Sequence, residues 1–275
     1  MSNTDNQDQL EVIEQLLNKR WPENIIEPTL DRIAALTDAL GSPHLSYPTI
    51  HIAGTNGKTT TARMIDQLLA SLGYRVGRYT SPHLQSFTER ISIKGAPISP
   101  DLMIATYNDI ALYLDLIDSG QLNPISYFEA LTAMAFVAFA EYPVDIAVIE
   151  AGLGGQWDAT NVVSSQVSVM TPIGFDHMEY LGNTLTEIAQ TKAGIFKPES
   201  NVVLAAQSSE VAKVLMAQVA KVSAIPFREG IEFAVKKRAL AVGGQLISLQ
   251  GLHGDIDDIY LDFHDLHQPA GIYDS

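Results

Sequence analysis

Apolar residues recur with two different periods along this chain, and the two periods divide it into helices and strands. In several segments apolar residues return every three or four positions, which is the spacing of one face of a helix. The helix around Gln9–Lys19 is polar overall, whereas Thr59–Leu72 has a continuous apolar face that ends before Gly73. The predicted helices are Gln9–Lys19, a segment within Pro28–Leu40, Thr59–Leu72, Asp101–Ile117, Ser126–Glu141 and Asn183–Phe196.

Short apolar runs lie between these helices and predict strands. The predicted strands are Thr49–Ala53, Arg75–Tyr79, Val144–Ile149, Gln166–Met170 and Asn201–Ala205. Strands that alternate with helices predict an α/β fold with a doubly wound, mostly parallel sheet. From about Ile225 the pattern changes to short β-type runs separated by Gly and Asp, which predicts a small antiparallel appendage over about 225–265. We expect residues 1–275 to form one domain of this kind.

The charge balance limits the partners that the chain can have. Its 275 residues include 17 basic and 32 acidic ones, a net charge of −15. This excess argues against nucleic acid and against an anionic membrane surface as partners. The sequence has no cysteine, and its longest apolar run, Ala130–Ala140, is too short to span a bilayer. With a polar, acidic N-terminus, these features predict a cytoplasmic protein.

The loop after the strand Thr49–Ala53 predicts a phosphate site. It consists of Gly54, Thr55, Asn56, Gly57, Lys58, Thr59 and Thr60. Gly54 and Gly57 let backbone N–H groups turn inward, Lys58 adds a charge, and the helix that follows directs its dipole at the same point. Thr59 is then placed to ligate Mg²⁺. The general P-loop pattern requires glycine where Ile52 stands, so this is a shortened form. The alternative, a Gly-rich turn without function, requires the flanking strand and helix to be coincidental.

Further loops at strand ends carry polar residues, and in a parallel sheet such ends converge on one edge. Glu150 ends a predicted strand, where it could coordinate a metal ion or be only a solvated carboxylate. His177 follows the strand Gln166–Met170, a position that favours a ligand role over a structural one. Lys192 lies near the end of a predicted helix and could simply complement the helix dipole. Spacing alone leaves the role of Lys192 open.

Four motifs in this order resemble folylpolyglutamate synthase/dihydrofolate synthase. The resemblance is to the N-terminal ATPase domain of these enzymes, which belong to the Mur ligase superfamily. The segments Ser81–His83 and Tyr127–Glu129 look like the folate branch rather than the cell-wall branch. The motifs are Gly54–Thr59, Thr80–Leu84 with Glu89–Ile91, Glu150–Gly155 with Asp158–Asn161, and Asp176–His177 with Lys192–Lys197.

The resemblance implies an ATP-dependent ligase that adds glutamate to dihydropteroate or folates. The acid's carboxylate would attack the γ-phosphate of ATP, and glutamate would capture the acyl phosphate without any protein nucleophile. By resemblance, Thr59 and Glu150 hold one Mg²⁺, while Ser81, Glu150 and His177 hold a second. Lys192 matches the lysine that is carbamylated in this family. The implied catalytic residues are Lys58, Glu150, His177 and Lys192.

The resemblance also places the acid substrate against the loop after the second strand. The implied contacts are Ser81, Pro82 and His83, with Phe87, Tyr127 and Phe128 as stacking or wall residues. From the residues alone, these three aromatic side chains fit a hydrophobic core equally well.

The chain also departs from the family pattern. Gln156 stands where the family commonly has arginine, and Gly271 stands where it has a nucleotide-contacting asparagine. The chain ends at Ser275, before the glutamate-binding domain of such ligases, so we expect a truncated N-terminal domain whose missing part is absent or supplied by a partner chain.

Three alternatives remain at this stage. The chain could be a non-catalytic ATP- or folate-binding remnant, or a Mur-type ligase that acts on a cell-wall precursor. The histidines near the end, His253, His264 and His267, lie among aspartates and could form a separate metal site. The alternation in Ile259–Phe263 favours instead a strand with one polar face.

Overall fold

The computed structural model describes residues 3–22, 27–120 and 123–262. It confirms the α/β prediction, because an eight-stranded, mostly parallel sheet carries helices and a separate three-stranded antiparallel sheet follows it. The strands of the main sheet are β1 Thr49–Ala53, β2 Val76–Tyr79, β3 Ile91–Ile93, β4 Ala96–Pro97, β5 Ile146–Glu150, β6 Val167–Met170, β7 Asn201–Leu204 and β8 Ile225–Arg228. The helices are α1 Asn3–Asn18, α2 Asp31–Ala39, α3 Lys58–Ser71, α4 Pro100–Gly120, α5 Tyr127–Glu141, α6 Met178–Leu181, α7 Leu185–Lys192 and α8 Ser209–Lys221.

The order of strands in the main sheet is β4-β3-β2-β5-β1-β6-β7-β8. The strands from β2 to β8 in this order are parallel, whereas β3 and β4 add an antiparallel edge. The first strand therefore lies between two strands that come much later in the chain, and Ile52 is in register with Glu150. This order brings the loops after β1, β2, β5 and β6 to the same edge of the sheet.

Two helices cover opposite faces of the sheet centre. Helix α5 is buried along almost its whole length and packs on the face that includes Tyr79 and Ile149. Its Phe139 lies so close to β2 that a Cβ on Gly77 would be 2.6 Å from the ring, which explains the glycine. Helix α3 covers the other face, where Ala62 and Ile65 pack among residues of β1, β2, β5 and β6. Both helices therefore fix the loops at the carboxyl edge from either side.

The appended sheet contains β9 Ala234–Ala241, β10 Gly244–Gly251 and β11 Gly254–Leu261, in the order β11-β10-β9. It begins later than the sequence predicts, because Ile225–Arg228 pairs in parallel with β7 as the last strand of the main sheet. A short apolar run does not reveal its pairing partner, so the sequence pattern alone groups this strand with the appendage. An apolar groove of about 660 Å³ lies between α3, the end of the main sheet and the appended sheet. The positions 264, 267 and 271 lie outside the described residues.

Some elements were not predicted. Helix α8 buries Val211, Leu215 and Val219, a spacing of four that is visible in the sequence, and the Ser208 side chain caps its start. The strands β3 and β4 are too short to show a period. In the described part of the chain, no helix has both the length and the apolar character that a membrane crossing needs.

Candidate functional site: a phosphate loop facing a buried carboxylate

The loop after β1 turns tightly against the loop after β6. Gly54 has φ 147°, and a Cβ at this position would lie 1.9 Å from Thr171 Oγ1. The N–H groups of Thr55 and Asn56 both donate to the carbonyl oxygen of Pro172, at 3.1 and 3.3 Å. Gly57, with φ 85°, precedes Lys58, where α3 begins. The local conformation thus requires both glycines and places the N-terminus of α3 at the carboxyl edge of the sheet.

Two lysine side chains meet at one carbonyl of this loop. Lys58 Nζ donates to Gly54 O at 3.2 Å, and Lys192 Nζ donates to the same oxygen at 2.8 Å. Lys192 is 2% exposed, and burial, followed by the charge of Lys58, lowers its pKa from 10.5 to about 8. The structure therefore places Lys192 beside the phosphate loop, which spacing alone could not decide. Two amines at one point create a local positive site in an acidic protein.

Glu150 ends β5 opposite the start of α3. Thr59 Oγ1 lies 2.9 and 3.0 Å from the two carboxylate oxygens of Glu150 and donates to them. Glu150 is 1% exposed, and burial raises its pKa from 4.5 to about 7. The charge of Lys58, the Thr59 hydroxyl and the backbone N–H of Ser81 each oppose this shift. Glu150 is therefore a buried carboxylate and not a solvated one.

The donors gathered here fit Mg²⁺. Thr59 and Glu150 provide hard oxygen atoms, and Mg²⁺ in nucleotide sites typically uses one or two carboxylates together with the phosphates. Across residues 3–22, 27–120 and 123–262, no group of three or more His, Cys, Asp or Glu side chains could hold a metal ion by itself. A cation here would need oxygen atoms from a ligand. The same observation covers His253, which is exposed, while its predicted companions His264 and His267 lie outside the described residues.

The loop after Glu150 is held in place by a buried aspartate that the sequence did not single out as a site residue. Asp158 accepts hydrogen bonds from Leu153 N at 2.7 Å and Thr160 N at 3.0 Å. Burial raises the pKa of Asp158, whereas these hydrogen bonds oppose the rise. Asp158 thus stabilises the glycine-containing segment that follows Glu150.

A buried histidine in the central strand continues this network. His51, in the middle of β1, is fully buried, and its Nε2 lies 2.8 Å from Thr160 Oγ1. Burial, followed by the charge of Lys197, lowers its pKa from 6.5 to about 3, so the ring is neutral. The Thr160 hydroxyl in turn donates to Asp158. A polar residue within the apolar strand Thr49–Ala53 was the signal in the sequence that could have drawn attention to His51.

The predicted substrate residues are divided between the surface and the core. Ser81 and His83 are partly exposed, and Pro82 is exposed after a cis Ser81–Pro82 bond. Phe87 and Tyr127 are buried in the main core. The structure thus gives these two aromatic side chains the core environment that was one of the two open interpretations.

Phe128 lies apart from these two side chains, at the loop after Glu150. It is partly buried, and its ring lies so close to Gly152 that a Cβ there would be 2.5 Å from Cζ. Phe128 is therefore the aromatic candidate that borders a loop of the site.

Other predicted site residues are accessible. Asn56, Gly57 and Thr60 are exposed at the mouth of the loop. The imidazole of His177 is half exposed, with Nε2 3.5 Å from Asp176 Oδ1, and the backbone of His177 is left-handed. The hydrogen bonds of Glu150 thus involve Thr59 and Ser81, whereas His177 follows a loop that is bonded to the phosphate loop through Gly174 and Thr55.

Comparisons with known proteins place the chain in a family. Residues 52–251 match the family model described as Mur ligase middle domain. The chain belongs to the Mur ligase family. This Mur ligase family member is 53% identical over 269 residues to the dihydrofolate synthase/folylpolyglutamate synthase of Mycobacterium tuberculosis. The match covers 93% of this chain and 55% of that protein. It is 40% identical to the protein of the same name from Bacillus subtilis, and this match covers 80% of this chain and 52% of that protein.

The fold of this Mur ligase family member also matches a solved structure. The Mycobacterium tuberculosis folylpolyglutamate synthase complexed with ADP superposes with a TM-score of 0.92 at 51% identity, covering 98% of this chain and 61% of that one. The predicted resemblance to the folate synthases is thereby confirmed. The chain spans about half the length of the curated relatives it matches.

Proposed function

We propose that this chain is the nucleotide-binding part of an ATP-dependent ligase that joins glutamate to dihydropteroate or folates. The observation that carries the proposal is the contact between Thr59, at the start of α3, and the buried Glu150 at the end of β5. This contact unites a phosphate loop with a carboxylate suited to magnesium. The name of the Mycobacterium tuberculosis relative, which is 53% identical, supplies the substrate class. On this proposal residues 1–275 are one domain and work in the cytoplasm.

The triphosphate of ATP would lie over the loop Gly54–Thr59. The N-terminus of α3 and the amine of Lys58 would surround its charges. Because Lys58 now donates to the carbonyl of Gly54, it needs only to leave this weak contact to reach a phosphate. This local site explains how an acidic chain could bind a polyanion.

Thr59 and Glu150 would hold one Mg²⁺, with Ser81 close enough to Glu150 to serve a second ion. When bound, magnesium would neutralise charge on the transferring phosphoryl group. His177, whose imidazole is half exposed, would be a further ligand of the second ion.

In the reaction, a carboxylate oxygen of the acid would attack the γ-phosphorus of ATP, and ADP would leave with the electrons of the broken P–O bond. The amine of glutamate would then attack the acyl phosphate, and phosphate would leave. The protein's part is to hold the two reactants in line and to stabilise the transferring phosphate. Lys58 would contact the phosphate, and Phe128 and the loop after β2 would border the acid.

Lys192 would act as a carbamate in this scheme. Its lowered pKa gives a substantial neutral fraction near pH 8, and a neutral amine can add CO₂ with release of one proton. The product is a carboxylate at the position where Lys192 now donates to Gly54 O. It would convert a second cation near the phosphate into a further oxygen ligand for magnesium.

The test is amide formation by the purified 275-residue chain with ATP, Mg²⁺, labelled glutamate and dihydropteroate or tetrahydrofolate, beside Lys58→Ala. Product that disappears in the variant would support the ligase. Magnesium-dependent ATP binding without amide from any acid would favour a binding module that needs a further domain or partner. Failure of the wild-type chain to bind ATP would contradict both.

A further inference from the structure

The segment between β2 and β3 is a closed loop whose two ends are tied together. Tyr79 is paired with Ile91 across the two strands, and Thr80 N donates to the carbonyl oxygen of Arg90 at 2.9 Å. Within the loop, the side chains of Ser86 and Glu89 each bond to the backbone of the other residue. The loop is thus held in one conformation by the sheet and by its own hydrogen bonds.

Arg90 is buried at the base of this loop. The side chain is 4% exposed, and its guanidinium lies over the ring of Tyr127, 5.3 Å from the centroid. Tyr127 belongs to the main core, so it supports the guanidinium from below. Arg90 Nε donates to His83 Nδ1 at 2.9 Å. A core-anchored arginine therefore holds one ring nitrogen of a partly exposed histidine in the loop.

This hydrogen bond decides where the imidazole proton lies. The Nε–H of arginine can only donate, so Nδ1 of His83 must offer a lone pair. The neutral ring then carries its proton on Nε2, at the edge turned away from Arg90. Ser81, two residues earlier, donates its backbone N–H to Glu150. The outer edge of His83 thus belongs to a loop that borders the site.

We propose that Arg90 is a positioning residue that fixes His83 as the Nε2–H tautomer, so that the loop presents an N–H donor to a carbonyl or carboxylate oxygen of the acid substrate. The substrate assignment rests on the function proposed above, whereas the tautomer does not. Tyr127 contributes to this positioning, because its ring packs against the guanidinium of Arg90 from the core. The partners that fit are neutral or anionic groups with an acceptor oxygen.

The first experiment reads the tautomer directly. Long-range ¹H–¹⁵N spectra of the full chain, recorded at about pH 8 so that ordinary histidines are neutral, distinguish the two ring nitrogens. The signal that disappears in His83→Phe identifies this residue among the seven histidines. We expect only the Nε2–H form in the wild-type chain and a mixture in Arg90→Met. An Nδ1–H form or a mixture in the wild type would overturn the proposal.

The second experiment measures binding of dihydropteroate and of ATP by calorimetry. His83→Phe removes one neutral hydrogen-bond donor, and Arg90→Met removes the contact that orients the imidazole. Each change should weaken acid binding about 3- to 10-fold and leave ATP binding unchanged. His83→Gln can accept from Arg90 and still donate outward, so it should bind the acid within about twofold of the wild type. Arg75→Met is the control. Arg75 lies just before the start of β2, at the end away from the His83 loop, and it pairs with Asp145.

The two experiments separate the two proposals. If the Nε2–H form is present but the wild-type chain binds no acid, the function proposed above fails, and with it the role of His83 toward a substrate. If the wild type binds the acid and His83→Phe binds it equally well, the donor role is overturned while the ligase proposal stands. Weaker ATP binding in Arg90→Met would show a general disturbance of the fold and would also contradict the proposal.

Discussion

Lys192 Nζ lies 2.8 Å from the carbonyl oxygen of Gly54, so the last residue of α7 closes over the phosphate loop. The hydrogen bond satisfies a buried amine whose neighbour Lys58 carries the same charge. The fold therefore bears an electrostatic cost in the absence of an anion.

The depressed pKa of Lys192 should make stability depend on pH in the alkaline range. Because the folded pKa is about 8 and the unfolded value is 10.5, the unfolded chain binds more protons between these values, and stability should rise with pH across this window. The full gain is roughly 3 kcal/mol for this residue. Urea unfolding of Lys192→Met between pH 7.5 and 10 should show a smaller rise than the wild type. Lys213→Met, at an exposed position, should keep the wild-type slope.

Glu150 should destabilise the ligand-free chain at neutral and higher pH. Burial raises the pKa of Glu150 from 4.5 to about 7 in the folded chain, so the folded state binds its proton more tightly than the unfolded state. The stability gained from this proton is complete below pH 4.5 and is lost as pH rises through 7. Glu150→Gln should therefore be more stable than the wild type by up to about 3 kcal/mol at pH 8, with a smaller difference at pH 5. Thermal and urea unfolding measure this.

The same variant should lose the magnesium-dependent part of ATP binding, because an amide oxygen is a weaker ligand than a carboxylate. Glu141→Gln, on the exposed end of α5, is the matched control for both measurements. A Glu150→Gln chain that is less stable than the wild type at pH 8 would contradict the assignment of a strained buried charge.

Gly54 should tolerate no side chain. A Cβ there would lie 1.9 Å from Thr171 Oγ1 and 2.9 Å from Thr171 O, and the φ of 147° is unfavourable for other residues. We expect Gly54→Ala to cost at least about 2 kcal/mol of unfolding free energy and to abolish ATP binding. Gly73→Ala also has a positive φ but open space around it, so it should cost about 1 kcal/mol and bind ATP normally. If Gly54→Ala and Gly73→Ala lost the same unfolding free energy and bound ATP equally well, the clash with Thr171 could not be what makes glycine necessary at position 54.

His51 should make the fold sensitive to acid. The folded pKa of about 3 lies below the usual 6.5, so its contribution to stability is present above pH 6.5 and is lost as pH falls toward 3. Between pH 6.5 and 5 the wild type should lose roughly 2 kcal/mol through this residue. His51→Gln should flatten this dependence in urea unfolding at the two pH values and can still donate to Thr160. His253→Gln, at an exposed turn, should leave it unchanged.

The sequence was most informative where local pattern and chemistry coincide. The strand Thr49–Ala53 has the predicted bounds, because the apolar run ends at a glycine loop with strong conformational demands. Glu150 was recognised as important, but its burial and its contact with Thr59 depend on strand order, which no local pattern contains. The placement of Lys192 likewise depends on where α7 packs. For the strand Ile225–Arg228, the pairing with β7 follows from tertiary structure alone.

The position of β1 between β5 and β6 also has a kinetic consequence. Its partners are Ile146–Glu150 and Val167–Met170, so the centre of the sheet forms only after long stretches of chain have been brought together. Contacts between residues distant in sequence form slowly, because the entropy of closing a long loop must be overcome first. Nucleotide affinity should therefore be acquired late in refolding, after the helices have formed. Bound ATP would then report on completion of the whole sheet, and a ligand that arrives at that stage would draw the refolding equilibrium toward the native state.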